Sequence, residues 1–505
     1  MSRPAQLFVQ AERRAGAALA PLLHRRHKRA LRRGSISAAS ERAARDSWWG
    51  GDPRWYAGGT PPRQHNHITP LVDGQAFFES LHEALLNAKN YVYVAGWCLT
   101  LDVPLRRREP DDLVQTRLTD VLAVTAQRLP VRVLLWSGAV ALIRPTTRTV
   151  KRIQSRLNNA GGDLVCSLDS TAVFTHCHHQ KAIVIDGQVA FVGGIDLTTF
   201  AGDRWDTPDH VLRAGVNWHD VALRIEGEAV ADVEANFRQR WEAVTGDDAL
   251  PTKAPAVDQA WATPAQIVRT IPQGRYDFAR RGEYGIHHMY MEALRQACNY
   301  VYIETQYLWS PDIMDALSEL ITSRDPASFR VVVVLPARAT SGKWDNDHHV
   351  EKLRQTDAGR GIFEAYSLFA SGPTTGEKAF SYRPIYVHAK LAIIDDEWCT
   401  VGSANLNNRG LVTDSEINVA VRDPALASGL RLRLWGEHLG VSEQQIAAMP
   451  PSAVIDSLWR ARAAANAHIT EQGGKPLVSS LHQYQVGLSP PDLVLDELEV
   501  ETFEH

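Results

Sequence analysis

Two stretches of this 505-residue sequence carry the same reactive side chains at the same spacing. The first is His179-Gln180-Lys181-Ala182-Ile183-Val184-Ile185-Asp186, and the second is His388-Ala389-Lys390-Leu391-Ala392-Ile393-Ile394-Asp395. Both fit HxKxxxxD, and they stand 388 − 179 = 209 residues apart. Lysine is scarce, ten in the whole chain, yet one falls in each motif. Residues two apart on a strand point to one face, so each histidine projects together with its lysine. Imidazole can attack or carry a proton near neutral pH. A lysine beside it supplies the positive charge that phosphoryl oxygens require. The competing reading is a satisfied core His and Lys on two similar strands, which would bury an unpaired lysine at considerable cost. The catalytic set is therefore His179, Lys181, Asp186, His388, Lys390 and Asp395. Within it the two aspartates are read as supports of the motif loop, because Asp186-Gly187 has the composition of a two-residue hairpin turn.

The motifs sit in a larger repeat. Asn90-Tyr91-Val92-Tyr93-Val94 returns as Asn299-Tyr300-Val301-Tyr302-Ile303, and 299 − 90 = 209 again. Each copy follows an amphipathic stretch, 77–88 and 289–297, and itself has strand composition. The apolar runs 131–136 and 331–335 are short enough to be strands of a sheet covered on both faces. The expected fold is α/β: two similar α/β sandwich halves, an internal repeat, forming a pseudo-dimer with one shared active site. Expected boundaries are a basic arm over 1–60, a first half over 61–250, and a proline-marked linker with the entry to the second half over 251–285. The second half spans 286–450, and a C-terminal tail, acidic at its end, spans 451–505.

Composition narrows the class. The chain is 44% hydrophobic and 22% charged, ordinary for a globular protein. A net charge of −4 demands no nucleic-acid partner, although a local basic cleft can hide inside a neutral total. Five cysteines, Cys98, Cys166, Cys177, Cys298 and Cys399, form no CxxC pair and read as buried thiols of a reducing compartment, with no zinc or other metal site. No apolar run is long enough to span a bilayer. Residues 1–33 carry nine Lys/Arg against Glu12, either a solvated tail or an arm for an anionic membrane surface. Trp48, Trp49 and Trp55 are read as packing residues, with interfacial lipid contact as the alternative. Asp345-Asn346-Asp347-His348-His349 lacks regular ligand spacing and is expected to be a polar loop rimming the cleft.

Over roughly 65–445 the sequence resembles the phospholipase D superfamily, and within it the eukaryotic-type phospholipases. Beyond the paired motifs the likeness includes Gly193-Gly194-Ile195-Asp196, Arg204-Trp205-Asp206, Trp218-His219-Asp220, Glu304-Thr305-Gln306-Tyr307, Gly402-Ser403-Ala404-Asn405, Asp414-Ser415-Glu416 and Trp435-Gly436-Glu437-His438. The usual Glu-Asn-Gln-Tyr has become Glu304-Thr305-Gln306-Tyr307, and no calcium-binding or phosphoinositide-binding module precedes the core, so calcium dependence is not implied.

The resemblance implies that His179 attacks phosphorus while His388 protonates the departing headgroup and then activates water or a primary alcohol. Lys181 and Lys390, with Ser403 and Asn405, would clamp the non-bridging oxygens, and no cofactor is called for. A histidine in such a role wants a carboxylate on its other nitrogen. Asp206, 27 residues after His179, and Glu416, 28 after His388, are the candidates, each with a surface acid as the alternative. Gly194 and Asp196 join the supporting set, glycine letting backbone approach a phosphate. The implied partner is phospholipid at a membrane surface, for a monomer that binds no nucleic acid. The expected location is cytoplasmic, peripheral at a membrane, with export left open. Alternatives are a phosphatidyltransferase such as a cardiolipin synthase, a nuclease of the superfamily, and a non-catalytic lipid-binding scaffold.

Overall fold

A computed structural model describes residues 28–31, 55–56, 58–109, 111–139, 145–172, 176–200, 202–339, 343–374 and 379–487. The arm reading, apart from those few residues, and the acidic end of the tail lie outside the described residues, as do Trp48 and Trp49.

The first half is one seven-stranded sheet. Its strands are β1 (Asn66–Val72), β2 (Val92–Gly96), β3 (Val131–Trp136), β4 (Leu164–Asp169), β5 (Ala182–Ile185) and β6 (Val189–Gly193), with β8 (Val221–Gly227) closing it. The order across the sheet is β1-β8-β6-β5-β2-β3-β4. The short β7 (Asn217–His219) belongs to the other sheet.

The second sheet repeats that order with β9 (Ala265–Ile271), β11 (Tyr300–Thr305), β12 (Arg330–Val334), β13 (Phe363–Pro373), β15 (Lys390–Ile394), β16 (Trp398–Gly402) and β17 (Glu416–Val421). Flanking these are β10 (Glu283–Tyr284), β14 (Phe380–Val387) and β18 (Leu481–Gln483). Its order is β10-β9-β17-β16-β15-β11-β12-β13-β14-β7, so β9 takes the place of β1 and β17 that of β8.

The residues make this arrangement. The central strands β2 and β11 are buried along their whole length, as continuous apolar runs require when both faces are covered. On one face of the first sheet pack α1 (Asp73–Leu86), α2 (Leu118–Ala126) and α3 (Thr147–Asn158), burying Phe77, Leu81, Leu118, Leu122 and Val150. The corresponding face of the second is covered by α5 (Gly285–Arg295), α6 (Pro311–Ser323) and α7 (Lys343–Asp357), which follow α4 (Val230–Thr245) of the first half. A third core is shared: Tyr93, Val184, Val192 and Leu223 of the first sheet join Leu391, Val401 and Val419 of the second, with Phe237 of α4. Trp435 of α8 (Pro424–Leu439) also enters it. That helix starts on the Asp423 carboxylate, which accepts from the amides of Ala425 and Leu426, and stops at Gly440 with φ +62°.

Four expectations need correction. The linker 251–285 contains β9, an integral strand hydrogen-bonded to β17 over six residues, because Ala265–Ile271 alternates enough apolar bulk to be buried among proline-rich neighbours. The tail 451–505 is folded as far as β18, through α9 (Arg460–Gln472), with Trp459 and Leu481 fully buried. Residues 345–349 are helical and not a loop: Asn346 caps Leu308 and the Trp309 indole, and Asp347 accepts from the Tyr484 hydroxyl. Cys298 is exposed, whereas the other four thiols are buried as expected.

Candidate active site

Each motif ends in a hairpin turn, and its aspartate works there. Asp186 (φ +58°) and Gly187 (φ +65°) turn β5 into β6, and Asp395 and Asp396 (φ +57° and +55°) turn β15 into β16. The Asp186 carboxylate accepts from the amides of Lys89, Asn90 and Tyr91 at 2.6–3.0 Å. The Asp395 carboxylate accepts from Cys298, Asn299 and Tyr300 at 2.7–2.8 Å. Each motif aspartate thus pins the start of the repeated Asn-Tyr strand beside it and stays away from the histidines. That strand in turn carries the sheet on which the lysines sit.

The histidines lie three residues before β5 and two before β15, where the approaching chain leaves its own sheet and runs along the other half. Residues 176–179 run beside 413–416, with four side-chain contacts at an offset of 237. Thr413 meets His176 at 3.2 Å, the Cys177 amide donates to Asp414, His178 meets the Ser415 hydroxyl at 2.7 Å, and His179 meets Glu416. On the other side β14 runs parallel to β7, pairing Ile385 with Asn217, Tyr386 with Trp218 and Val387 with His219. The next step of that ladder sets His388 on Asp220.

Two imidazoles are therefore each held through Nδ1 by a carboxylate of the opposite half. His179 Nδ1 lies 2.9 Å from Glu416 Oε1 and also near the Ser403 carbonyl at 3.1 Å. His388 Nδ1 lies 2.6 Å from Asp220 Oδ2. With Nδ1 engaged, Nε2 is the nitrogen left for chemistry. Burial, the largest influence, pushes both imidazolium forms well below the ordinary histidine range, and the nearby lysines push the same way. Burial pushes Glu416 well above the usual carboxylate range and Asp220 up to about 6, with Lys181 and Lys390 opposing it.

The lysines differ. Lys181 Nζ pairs with Asp196 at 3.0 Å and donates to the His179 carbonyl at 3.1 Å. Lys390 donates to the His388 carbonyl, and burial pulls its ammonium down to about 7, the Asp220 charge partly opposing. The residue corresponding to Asp196 in the second half is Asn405, 405 − 196 = 209 residues on, a neutral amide.

The supporting residues fall into place differently from their sequence assignments. Asp206 reaches neither motif histidine: its carboxylate accepts from the Trp218 amide at 2.7 Å and Asn217 Nδ2 at 3.0 Å, steadying β7. Glu416 serves His179 and not the His388 of its own half. The Ser403 hydroxyl is committed to Glu416, which removes it from an oxygen clamp, while Asn405 donates to Gln306 at 3.5 Å and keeps a buried Oδ1 without a partner among the described residues. Gly194 makes room, since a Cβ there would overlap the Asp220 carboxylate.

Asp220 is the functional position that counting missed. From histidine to carboxylate the chain runs 220 − 179 = 41 residues in the first half and 416 − 388 = 28 in the second. The excess is the loop carrying Arg204 to Asn217, so equal spacing selected Asp206. A better signal is an acid at the entry to the apolar strand after the glycine pair, Asp220 before β8 and Glu416 opening β17.

Behind Asp220 lies a fully buried seam. His219 bridges Asp73 at 2.9 Å and Glu304 at 2.8 Å, and His438 meets Glu304 at 3.0 Å. His210 lies 3.3 Å from both Asp206 and Glu437. Asp73, His210, His219 and Glu437 bring one ligand atom each within 4.8 Å of one another, the spacing a cation would need. The same atoms also satisfy one another as ion pairs, and the flanking carboxylates hold His219 well above its usual range and His210 at about 10, against the lowering effect of burial.

Comparison with known proteins gives the same picture of two related segments. Residues 84–217 match the family model described as phospholipase D, and residues 290–435 match that of the cardiolipin synthase, phospholipase D-like domain. Phospholipase D A of Dictyostelium discoideum is 27% identical over 472 residues, covering 76% of this chain and 36% of that protein. Phospholipase D alpha 1 of Nicotiana tabacum is 26% identical over 535 residues, covering 74% of this chain and 66% of that protein. The chain thus spans between about a third and two thirds of the length of these relatives. The crystal structure of a phosphatidylserine synthase from Haemophilus influenzae Rd KW20 superposes with a TM-score of 0.49 and 13% identity, covering 75% of this chain and 86% of that one. Among the described residues, no helix is long and apolar enough to cross a membrane.

Proposed function

Because the chain belongs to the phospholipase D superfamily, we propose that it is a phospholipase D, cleaving the headgroup phosphodiester of glycerophospholipids to phosphatidic acid. The observation that carries this reading is the reciprocal pair of imidazoles, each anchored through Nδ1 by the other half's carboxylate. Such a pair needs nothing further to divide a displacement at phosphorus into two steps.

His179 Nε2 gives its lone pair to phosphorus, and the bond from phosphorus to the headgroup oxygen breaks. That oxygen takes the proton from His388 Nε2. His388, whose Nδ1 has taken the proton it shared with Asp220, then removes a proton from water with Nε2, and the water oxygen attacks phosphorus as the phosphorus–nitrogen bond breaks. Glu416 balances the charge that grows on His179, and Lys181 and Lys390 meet the non-bridging oxygens. The choice of His179 over His388 as nucleophile follows the resemblance, the two motifs being chemically alike in sequence. A primary alcohol can replace water in the second step, giving a phosphatidyl alcohol. The match of 290–435 to a cardiolipin synthase-type domain supports phosphatidyl transfer as the second reading.

Purified protein on mixed phospholipid vesicles, with and without a primary alcohol and read by lipid mass spectrometry, separates the two. Phosphatidic acid formed in water alone is the expected result. Product only when an alcohol is present would favour a dedicated transferase, and neither product would sink both readings.

A further inference from the structure

The groups around the two histidines include a cation that the paired motifs do not supply. Arg204 is 3% exposed, as buried as the motif residues themselves, with Lys181 and His388 each at 5%. Its guanidinium lies 4.1 Å over the ring of Trp218, whose ring centre stands 5.0 Å from that of His388. It donates to the Gly202 carbonyl, yet among the described residues its buried Nε has no partner and no carboxylate forms an ion pair with it.

The acids beside it in sequence are spent elsewhere. Asp203 is held by Arg107 at 2.5 Å, with Arg213 at 3.7 Å. Asp206 is taken up by the β7 backbone and Asn217. Arg213 also holds the carbonyls of Asp203 and Trp205, so the loop that presents Arg204 is fixed on both sides. A buried guanidinium with open donors is costly unless an anion completes it. Stacking on an indole face accounts for its position but leaves the buried Nε unused.

Resting on the phosphodiesterase reading above, we propose that Arg204 is a third phosphate-binding cation of this site, donating two hydrogen bonds to the non-bridging oxygens of the substrate diester on the His388 side. The planar fork of guanidinium matches two oxygens of one phosphate, which a single ammonium cannot do. Charge placement agrees: after burial, the cations that keep the His388 imidazole neutral are Lys390, then Arg204, then Lys181. Burial pulls the Arg204 guanidinium down, and Asp196 and Asp220, the acids of the same site, oppose it. Lys181 is already paired with Asp196 at 3.0 Å, whereas Arg204 has no ion-pair partner among the described residues.

The test is binding, which needs no turnover. Inorganic phosphate is titrated by calorimetry into the full chain, and a soluble short-chain phosphatidylcholine into the His179→Ala background. Phosphate should bind the wild-type protein at one site that Lys390→Met removes. Arg204→Gln should weaken both ligands by about 10- to 100-fold, the scale of hydrogen bonds to a charged group. Arg204→Lys, which keeps the charge and loses the fork, should fall between. A protein that binds phosphate in this pattern but hydrolyses no phospholipid would sink the phospholipase reading and leave Arg204 as an anion ligand. Loss confined to free phosphate, with lipid binding unchanged, would overturn the assignment to substrate. Wild-type protein that binds no phosphate would overturn it too, as would a folded Arg204 variant with wild-type affinity. Should Arg204→Gln fail to fold, the lysine variant decides alone: undiminished affinity there removes the fork from the site.

Discussion

The proton shared by His388 and Asp220 decides how the proposed chemistry responds to pH. Burial holds the imidazolium of His388 down and lifts the Asp220 carboxyl to about 6, so the pair carries its extra proton below about pH 6 and loses it above. If His388 is the acid, that proton is the one passed to the leaving oxygen. The reactive form is then the protonated pair, and kcat/KM should fall as pH rises through about 6. Burial also holds the imidazolium of His179 below the ordinary histidine range, which favours a free Nε2. Measuring kcat/KM between pH 4.5 and 8 checks the sign, kcat/KM being the quantity that reports the free enzyme. A rate that climbs over this interval would take the acid role away from His388. Residue types made the two histidines legible from sequence, because their motif recurs. The carboxylate partners were harder to read: Glu416 was recognised as a candidate but assigned to the wrong half, and Asp220 was displaced by Asp206 because loop length hides spatial equivalence.

At the scale of elements, the motif aspartates act on stability and leave the chemistry to others. Asp395 accepts three backbone amides that would otherwise end unpaired at the start of β11, and Asp186 does the same for β2. Losing a charged acceptor of this kind costs about 1–3 kcal/mol for a buried donor left unsatisfied. Cys298 and Asn299 are exposed and can turn to water, so the cost for Asp395→Ala should fall in the lower part of that range. Denaturant unfolding should show the loss, while activity per folded molecule stays within a few-fold of wild type. A fully stable but inactive variant would mean that Asp395 acts in the reaction after all. The hairpin aspartates were readable because Asp-Gly between apolar strands has few other uses. Strand β9 was not, because prolines on either side resemble a linker, and only its pairing with β17 reveals it as the counterpart of β1. The same holds for β18 and its helix: nothing local in 451–484 says that Leu481 adds to β13.

For the whole molecule, the two halves exchange parts in a way that makes each incomplete alone. The first half gives β7 and Asp220 to the second, and the second gives Glu416 to the first. His219 of the first half and Glu304 and His438 of the second are wholly buried against one another. Removing one partner of such a pair while the other stays buried would cost about 3–5 kcal/mol. One chain therefore assembles one site from both motifs, and a second chain has no free half to offer. His179→Ala and His388→Ala should each abolish turnover, and mixing the two inactive proteins should restore none of it. Refolding them together from denaturant is the stringent version, since halves could then pair afresh between chains. Up to about a quarter of wild-type activity would return if halves exchanged at random, because one in four pairings would unite two intact motifs. Continued inactivity after co-refolding, with both variants recovered folded and monomeric by light scattering, is the expected outcome. Activity that returns with the concentration dependence of a dimer would show that the shared site forms between chains, and the proposed one-chain assembly would have to be abandoned.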